Sequence, residues 1–313
     1  MQGSRVLAGT CSWTDATLVK KTNWYPKKSM SAADRLAFYA KQFPLVEADS
    51  TYYRPPTVPL TEGWAERTPD GFTFNIKAYS LFTHHPTQPE GLWPDLRDAI
   101  KPEFQGKQRA YAEHLEPEAL DEAWARFDHA LRPLARSGRL GAILLQYPRW
   151  FTPKRANREE LTGLRARLAD YRICVEFRSP LWLAGEDRTR TLEVLRANDL
   201  ALVVVDAPGV SGLETVVEAT SSALAVVRFH GRADSTWNSR DVSAAERFRY
   251  LYQPEELESW VPKVRQLADE AAEVHLLMNN CYEDYGVRNA ADLRQLLVDA
   301  GATTFDGPAP SGA

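Results

Sequence analysis

Short apolar runs recur along the chain and alternate with longer segments in which apolar residues return every three or four positions. The short runs are typical of buried strands, and the longer segments are typical of helices that bury one face. The runs predict eight strands, at residues 6–11, 45–51, 72–77, 140–148, 173–178, 201–206, 223–230 and 274–280.

The alternation of strands and helices predicts the topology. Ser31 and Pro254 are candidate helix starts, and Gly301 is a candidate stop for the last helix. Strands that alternate with helices favour a parallel sheet, and eight such units favour closure into a barrel. An open doubly wound sheet is the main alternative, but Gly9 stands alone and no GxGxxG loop follows the first strand. The sequence therefore predicts an α/β chain that forms a single (β/α)8 TIM-type barrel.

One segment departs from this regular pattern. Residues 81–117 are rich in proline and isolated aromatic residues, and we interpret them as a long loop after the third strand that covers part of the barrel mouth. A helix over 118–136 returns the chain, and Pro133 predicts a kink or break near its end. We assign residues 1–302 to the barrel domain and expect the tail, 303–313, to be disordered.

Composition narrows the class of protein. The 313 residues carry a formal net charge of −4, so no overall basic field draws the chain to nucleic acid or anionic lipid. Neither a signal peptide nor a membrane-spanning run is evident, and three scattered cysteines suggest neither disulfides nor a zinc site. We therefore expect a cytoplasmic protein without membrane association, and the sequence does not indicate its oligomeric state.

Polar residues close nearly every predicted strand. In a barrel the carboxyl ends of all strands meet at one mouth, which is where active sites of this architecture lie. These residues are Glu47 and Asp49 on the second strand, Lys77 on the third, Gln146 on the fourth, Glu176 and Arg178 on the fifth, Asp206 on the sixth, Arg228, His230 and Arg232 on the seventh, and Asn279 and Asn280 on the eighth.

Alternation along the strands predicts which of these side chains face inward. Phe72, Phe74 and Ile76 share the face that should meet the helices, so Lys77 should point into the barrel. Glu47 shares a face with Asp49, Glu176 with Arg178, and Arg228 with His230. Buried charges are costly when unpaired, so each of these must pair, bind a ligand or reach water.

His230 is the strongest candidate for proton transfer, because the flanking Arg228 and Arg232 favour its neutral, basic form. Glu176 and Asp206 are the other candidate catalytic residues. Glu176 could instead form a structural ion pair, and Asp206 could instead shape the turn before Ala207-Pro208. We assign Asp49 a structural role and expect Trp237 to serve packing. The candidate ligand-binding residues are Lys77, Arg178, Arg228, Arg232, Glu47, Gln146, Asn279 and, from the long loop, His84.

An ordered set of segments between Val6 and Gly301 resembles a known family. The set comprises Gly9-Thr10-Cys11-Ser12-Trp13, Trp24-Tyr25-Pro26, residues 43–53 and 64–69, Phe72-Thr73-Phe74-Asn75-Ile76-Lys77, Thr83-His84-His85, Val175-Glu176-Phe177-Arg178, residues 227–232, Asn279-Asn280 and residues 287–290. Together they resemble the YecE-like family, also known as domain of unknown function 72.

The resemblance implies a TIM-type barrel and a bacterial or archaeal cytoplasmic protein, and it implies no settled activity. Three segments depart from the family pattern: Cys11-Ser12, where a Ser-Gly pair is common, residues 179–182, where a histidine-containing version is common, and Cys281-Tyr282, where an acidic residue or histidine is common. Ligand contacts at the first, fifth and eighth strands therefore do not transfer from the family.

Three functions fit these residues. The first is an enzyme, hydrolase-like or isomerase-like, that binds an anionic or phosphorylated small molecule through its lysine and arginines and uses acid/base chemistry. The second is a metal-dependent hydrolase or isomerase that holds a divalent metal with Glu47, Glu176, Asp206 and His230. The sequence contains no HExxH motif that would support this metal site, and it indicates no other cofactor. The third is a non-catalytic binding protein, with nucleic acid disfavoured by the net acidity.

Overall fold

The computed structural model describes residues 3–237, 239 and 244–301, and the predicted tail lies outside the described residues. Eight parallel strands form a closed barrel in chain order, as the sequence predicts, and β1 pairs with β8 to complete it. The strands are β1 (Arg5–Thr10), β2 (Leu45–Ala48), β3 (Thr73–Lys77), β4 (Leu140–Tyr147), β5 (Ile173–Phe177), β6 (Leu200–Asp206), β7 (Ala225–Phe229) and β8 (Glu273–Met278).

Helices connect most of the strands and surround the barrel. Between β6 and β7 only the 3-10 turn Gly209–Ser211 is helical, which fits the lack of helical periodicity there. Among the described residues the α-helices are α1 (Ala16–Lys21), α2 (Ala32–Tyr39), α3 (Val58–Glu66), α4 (Pro94–Asp98), α5 (Pro117–Arg136), α6 (Arg155–Arg167), α7 (Gly185–Ala197), α8 (Asp234–Trp237), α9 (Ala244–Arg247), α10 (Pro254–Glu258), α11 (Val261–Glu270) and α12 (Tyr285–Asp299).

The barrel interior is filled by small and medium apolar side chains that alternate with outward-facing ones. Leu7, Leu45, Leu144, Val203 and Leu277 belong to this inner cluster, which is separate from the larger core between strands and helices. Packing of parallel strands against helices buries both faces of each strand, so the sheet needs apolar residues on both sides.

Gly9 permits the close approach of β1 and β2. A Cβ atom at this position would lie 1.9 Å from the carbonyl oxygen of Leu45. No side chain fits that gap without moving the strands apart, so glycine is required for the register in which Gly9 faces Leu45.

The long segment after β3 is more ordered than a plain loop. It contains α4, several 3-10 turns and the isolated bridges Thr87–Ala110 and Ile100–Leu115. Phe82 stacks on Trp124 of α5 with ring centroids 3.8 Å apart, so the segment has its own apolar anchor.

Helix α5 continues through Pro133, so the predicted break does not occur. In the described part of the chain, no helix has the length and apolar character needed to cross a bilayer.

Candidate functional site

A buried ion network fills the barrel interior at the carboxyl ends of the strands. Arg228 of β7 lies between two carboxylates: its Nη2 is 2.6 Å from Oε1 of Glu47 on β2, and its Nη1 contacts Oε2 of Glu176 on β5. All three side chains are almost fully buried. The inward phase predicted for Glu47, Glu176 and Arg228 therefore brings three strands together around one guanidinium.

Three further side chains converge on the other oxygen of Glu176. Its Oε1 lies 2.7 Å from Nε of Arg178, 2.8 Å from the amide nitrogen of Gln146 and 3.1 Å from Nε2 of His230. Both carboxylate oxygens are thus engaged by positive or hydrogen-bonding groups. This arrangement fixes the positions of Arg178 and Gln146 at the mouth.

The network sets the protonation of its members. Burial alone would raise the pKa of Glu176, but Arg178 and Arg228 outweigh burial and hold that pKa well below its usual range. Burial works against the charge of Arg228, yet Glu47 and Glu176 raise its pKa well above normal. Glu176 therefore stays ionised and accepts hydrogen bonds, and it is poorly placed to exchange protons with a ligand.

The neutral form of His230 is favoured, but burial and Arg178 cause this rather than the flanking Arg232. Burial, followed by the charge of Arg178, lowers its pKa to about 3. Its Nδ1 lies 2.7 Å from the amide nitrogen of Asn279 and its Nε2 faces Glu176, so both ring nitrogens are already engaged. A neutral ring that accepts from Asn279 and donates to Glu176 accounts for both contacts.

A pocket of about 470 Å³ opens above this network. Its size is typical of small-molecule sites. Five of the predicted residues line it, namely Lys77, Gln146, Arg178, Arg228 and Asn279. The other lining residues are Asp49, Tyr52, Tyr53, His85, Pro148, Arg149, Trp150, Ser211, Leu213, Trp237, Arg247 and Phe248.

Lys77 stands apart from the other charged groups at the mouth. Its Nζ lies 4.4 Å from the ring centre of Tyr52 but has no hydrogen-bond or ion-pair acceptor among the described residues. Burial, together with the charge of Arg228, lowers its pKa to about 8. The described part of the chain thus holds an ammonium group in a partly desolvated place without giving it a counter-ion contact.

Asp49 lines the same pocket beside Lys77. The pairing of Ala48 with Ile76 makes Asp49 and Lys77 the next residues on adjacent strand ends. Burial raises the pKa of Asp49 to about 6, although the charge of Lys77 acts in the opposite direction. Two groups that titrate close to neutral pH therefore lie side by side at the mouth.

The charge balance of the pocket is positive. Among the residues that the structure describes, its lining contains five cationic side chains and one carboxylate, that of Asp49. Even when Glu47 and Glu176 behind the lining are counted, the described cations exceed the described carboxylates by two. Such a surplus favours anionic ligands.

The structure does not bring Asp206 and Arg232 to this pocket, so the predicted convergence is wrong for both. Asp206 points outward from β6, where it pairs with Arg232 at 2.6 Å and accepts hydrogen bonds from Tyr252 and Trp260. The inner face of β6 is instead formed by residues such as Val203 and Val205. Every position of β6 before Asp206 is apolar, so the sequence offered no alternation from which its phase could be read.

The long segment after β3 reaches the mouth through His85, and His84 turns away. His84 has a left-handed backbone (φ 58°) and its Nε2 lies 2.7 Å from Glu160 of α6. That contact raises the pKa of His84, whereas burial, with Lys77 and Arg178, lowers the pKa of His85 to about 4. The prediction that this segment borders the mouth fits the position of His85, while the choice of His84 was wrong.

The residues proposed for a metal do not form a metal site. Arg228 occupies the space between Glu47 and Glu176, and Asp206 lies outside the barrel wall. Across residues 3–237, 239 and 244–301, no three His, Cys, Asp or Glu side chains are grouped so that they could hold a metal ion. The four proposed donors are therefore engaged by different protein groups: Glu47 and Glu176 by Arg228, His230 by Glu176 and Asn279, and Asp206 by Arg232.

The sequence also left several pocket residues unidentified. Tyr52 and Trp150 follow strands β2 and β4 closely, but isolated aromatic residues in loops carry no signal that separates packing from exposure. Arg149, Arg247 and Phe248 lie in loops or short helices whose path the sequence does not specify. Trp237, which we expected to serve packing, stacks under Arg178 at 5.4 Å and lines the pocket.

Comparisons with known proteins agree with this architecture. UPF0759 protein YunF of Bacillus subtilis (strain 168) is 28% identical over 301 residues, which cover 93% of this chain and 94% of the relative. A DUF72 family protein from Enterococcus faecalis V583 shares the fold with a TM-score of 0.76 at 24% identity, covering 98% of this chain and 99% of that chain.

A second solved structure, a DUF72 family protein from Thermotoga maritima MSB8, has a TM-score of 0.73 at 27% identity and covers 94% of this chain and 99% of that chain. The sequence model of the family described as "Protein of unknown function DUF72" matches residues 7–313. The chain therefore belongs to the DUF72 family, which is the YecE-like family that its motifs resemble.

Proposed function

We propose that the protein is an enzyme that binds an anionic small molecule at the mouth of the barrel and moves a proton on it. The observation that carries this proposal is Lys77, whose ammonium group faces the pocket without an acceptor among the described residues. A partly desolvated charge without a partner is costly in free energy. An anionic ligand would supply the missing acceptor.

The surrounding charges favour the same class of ligand. Arg178 and Arg228 are held at the pocket floor by Glu176 and Glu47, so their positions are set before any ligand arrives. Preorganised cations lose little freedom on binding, and guanidinium groups match the geometry of phosphate and carboxylate oxygens. Phosphate esters are therefore the first ligands to test.

Proton transfer is assigned to Asp49 and Lys77. With a pKa of about 6, Asp49 is mostly ionised at pH 7 and can accept a proton. With a pKa of about 8, Lys77 is mostly protonated at pH 7 and can donate one. The sequence suggested Glu176 and His230 as catalytic residues. We assign them instead to positioning the groups beneath the pocket, because their polar atoms contact one another and Arg178, Arg228 and Asn279.

Binding is tested by titrating inorganic phosphate and a panel of phosphate monoesters into the wild type by calorimetry. Lys77→Met should weaken binding at least tenfold, whereas Lys41→Met should leave it unchanged. Lys41 is an exposed lysine that follows α2 and precedes β2, at the opposite end of the barrel. Equal affinities in wild type and Lys77→Met would overturn the anion site.

Catalysis is tested on the tightest ligand of that panel. Ester cleavage is followed by ³¹P NMR, and exchange of ligand C–H protons is followed by ¹H NMR in D₂O. We expect turnover that rises with pH through about 6 and falls through about 8, and that is lost in Asp49→Asn. Tight binding without cleavage or exchange would overturn the enzymatic part and leave a binding protein.

A further inference from the structure

The pocket carries aromatic groups in an arrangement that its charges do not explain. Trp150 is 60% exposed and Tyr53 is 71% exposed, and both line the pocket. Large exposed aromatic side chains at the rim of a cavity lose hydrophobic free energy unless a ligand or partner covers them.

These side chains form one continuous wall. Tyr52 contacts Tyr53 and His85 edge to face, with ring centroids 5.0 and 5.2 Å apart, and His85 lies 6.0 Å from Trp150. Lys77 sits at the foot of this wall, 4.4 Å from the centre of Tyr52. The wall therefore joins an ammonium group at its base to an exposed indole at its top.

Trp150 is held in place although it is exposed. Its indole N–H donates to the carbonyl oxygen of His84 at 3.2 Å. The nitrogen is thus satisfied by the protein, and the exposed part of the side chain that lines the pocket is apolar ring surface. A fixed indole face is a platform for stacking, and it loses little side-chain freedom when a planar group binds.

We propose that the ligand of this pocket is a phosphate ester that carries a planar ring, with the phosphate at Lys77 and the ring stacked on Trp150. A nucleoside monophosphate is a common biological molecule with this chemistry, and we commit to it. The inference rests on the proposed anion site and adds the part of the ligand that the cations leave undefined. Polar groups that line the same pocket, such as Gln146 and Asn279, can bond the portion between ring and phosphate.

The test compares ligands that share one part and lack the other. The four nucleoside monophosphates, ribose 5-phosphate, adenosine and inorganic phosphate are titrated against wild type, Trp150→Ala and Trp150→Phe. In the wild type, at least one nucleotide should bind about tenfold tighter than ribose 5-phosphate, because stacking on one aromatic ring contributes that much. Trp150→Ala should lose this gain and Trp150→Phe should keep most of it, with ribose 5-phosphate unaffected by either.

The outcomes separate this inference from the proposed function. If inorganic phosphate or ribose 5-phosphate binds but no ring improves affinity, the ring site is wrong and the anion site stands. If neither phosphates nor nucleotides bind at millimolar concentration, both are wrong. A trinucleotide that binds more than tenfold tighter than every monophosphate would overturn the small-molecule class in favour of a nucleic-acid strand. Leu60→Ala, an exposed change on α3 outside the pocket lining, is the control for general effects.

Discussion

The two ends of the barrel interior contain nearly the same set of polar groups. At the carboxyl end, His230 lies between Asn279 and Glu176, and two arginines contact the carboxylates. At the amino end, Nε2 of His275 is 2.5 Å from Glu273 and Nδ1 is 3.0 Å from Asn75. Each end thus holds one histidine between an amide and a carboxylate.

The arginines show how the ends differ. At the amino end, Arg5 and Arg172 contact Glu273, and they also donate to the carbonyl oxygens of Gly71 and Gly141 at 2.7 Å. Protein groups therefore engage both guanidiniums. Within the described ranges, the cations at the carboxyl end exceed the carboxylates, and Lys77 has no acceptor there.

We call the polar groups that close the amino end the plug; they are His275, Glu273, Asn75, Arg5 and Arg172. We call the polar groups beneath the pocket at the carboxyl end the floor; they are Glu47, Glu176, Arg178, Arg228 and His230. The same residue types close one end and support a pocket at the other, so the presence of a buried histidine and carboxylate does not by itself mark an active site. Three features distinguish the carboxyl end: an ammonium group without an acceptor among the described residues, a carboxylate of raised pKa and an exposed aromatic wall.

The largest effect is expected for the central cation of the floor. Arg228→Met removes the guanidinium between Glu47 and Glu176 and leaves two buried carboxylates facing each other. We expect the free energy of unfolding to fall by about 3–5 kcal/mol, measured by urea denaturation. Adding Glu47→Gln and Glu176→Gln to this variant should recover part of the loss. A loss below about 1 kcal/mol would contradict the network.

The plug should lose stability without any change in binding. Glu273→Gln weakens contacts to His275, Arg5 and Arg172, and we expect a loss of about 1–3 kcal/mol. Burial opposes the charge of Glu273, but His275 and the arginines lower its pKa to about 2. Its contribution to stability is therefore present above its ordinary pKa of 4.5 and is lost as pH falls toward 2, so the variant should show a weaker acid dependence in this range.

Reduced anion affinity in Glu273→Gln, with the fold intact, would contradict the assignment of the amino end to stability and of the carboxyl end to binding. The comparison is made at neutral pH, where the variant should remain folded.

Asp206 provides a further contrast, because it is buried near the mouth but outside the barrel wall. Asp206→Asn weakens contacts to Arg232 and Trp260, and we expect a loss of about 1–3 kcal/mol with unchanged anion affinity. Calorimetry on the folded variant checks the second point. A loss of binding comparable to that of Lys77→Met would show that Asp206 contributes to the anion site.

The smallest effect on stability is expected for Lys77. Its pKa of about 8 in the folded protein lies below the ordinary value of 10.5, so the unfolded chain binds more protons between these values. Wild-type stability should therefore rise as pH increases from about 8 to 10.5, and this rise should be missing in Lys77→Met. Thermal unfolding at pH 7 should show no loss of stability in the variant; a clear loss would mean that Lys77 has a structural partner.

The sequence predicted the barrel and much of the floor because both depend on regular patterns. Eight strand–helix units define the topology, and alternation on β3 correctly turned Lys77 inward. The prediction for Asp206 was wrong because β6 is apolar at each position before it, so no alternation shows which face of the strand Asp206 occupies.

The remaining features depend on tertiary contacts. The sequence does not reveal that Arg228 pairs with both Glu47 and Glu176, or that burial raises the pKa of Asp49. The exposure of Trp150 depends likewise on the path of a loop. Such features follow from which groups meet in space, and propensity and periodicity carry no information about that.

The most direct test of the mouth as an anion site is the pH dependence of sulfate binding, because sulfate keeps a constant charge between pH 6 and pH 10. Affinity is measured by calorimetry for wild type, Lys77→Met and Glu273→Gln. We predict that wild type and Glu273→Gln lose affinity as pH rises through about 8, where Lys77 releases its proton, and that Lys77→Met binds weakly at every pH. Binding that is independent of pH in the wild type, or equally strong in Lys77→Met, would contradict an anion site at Lys77.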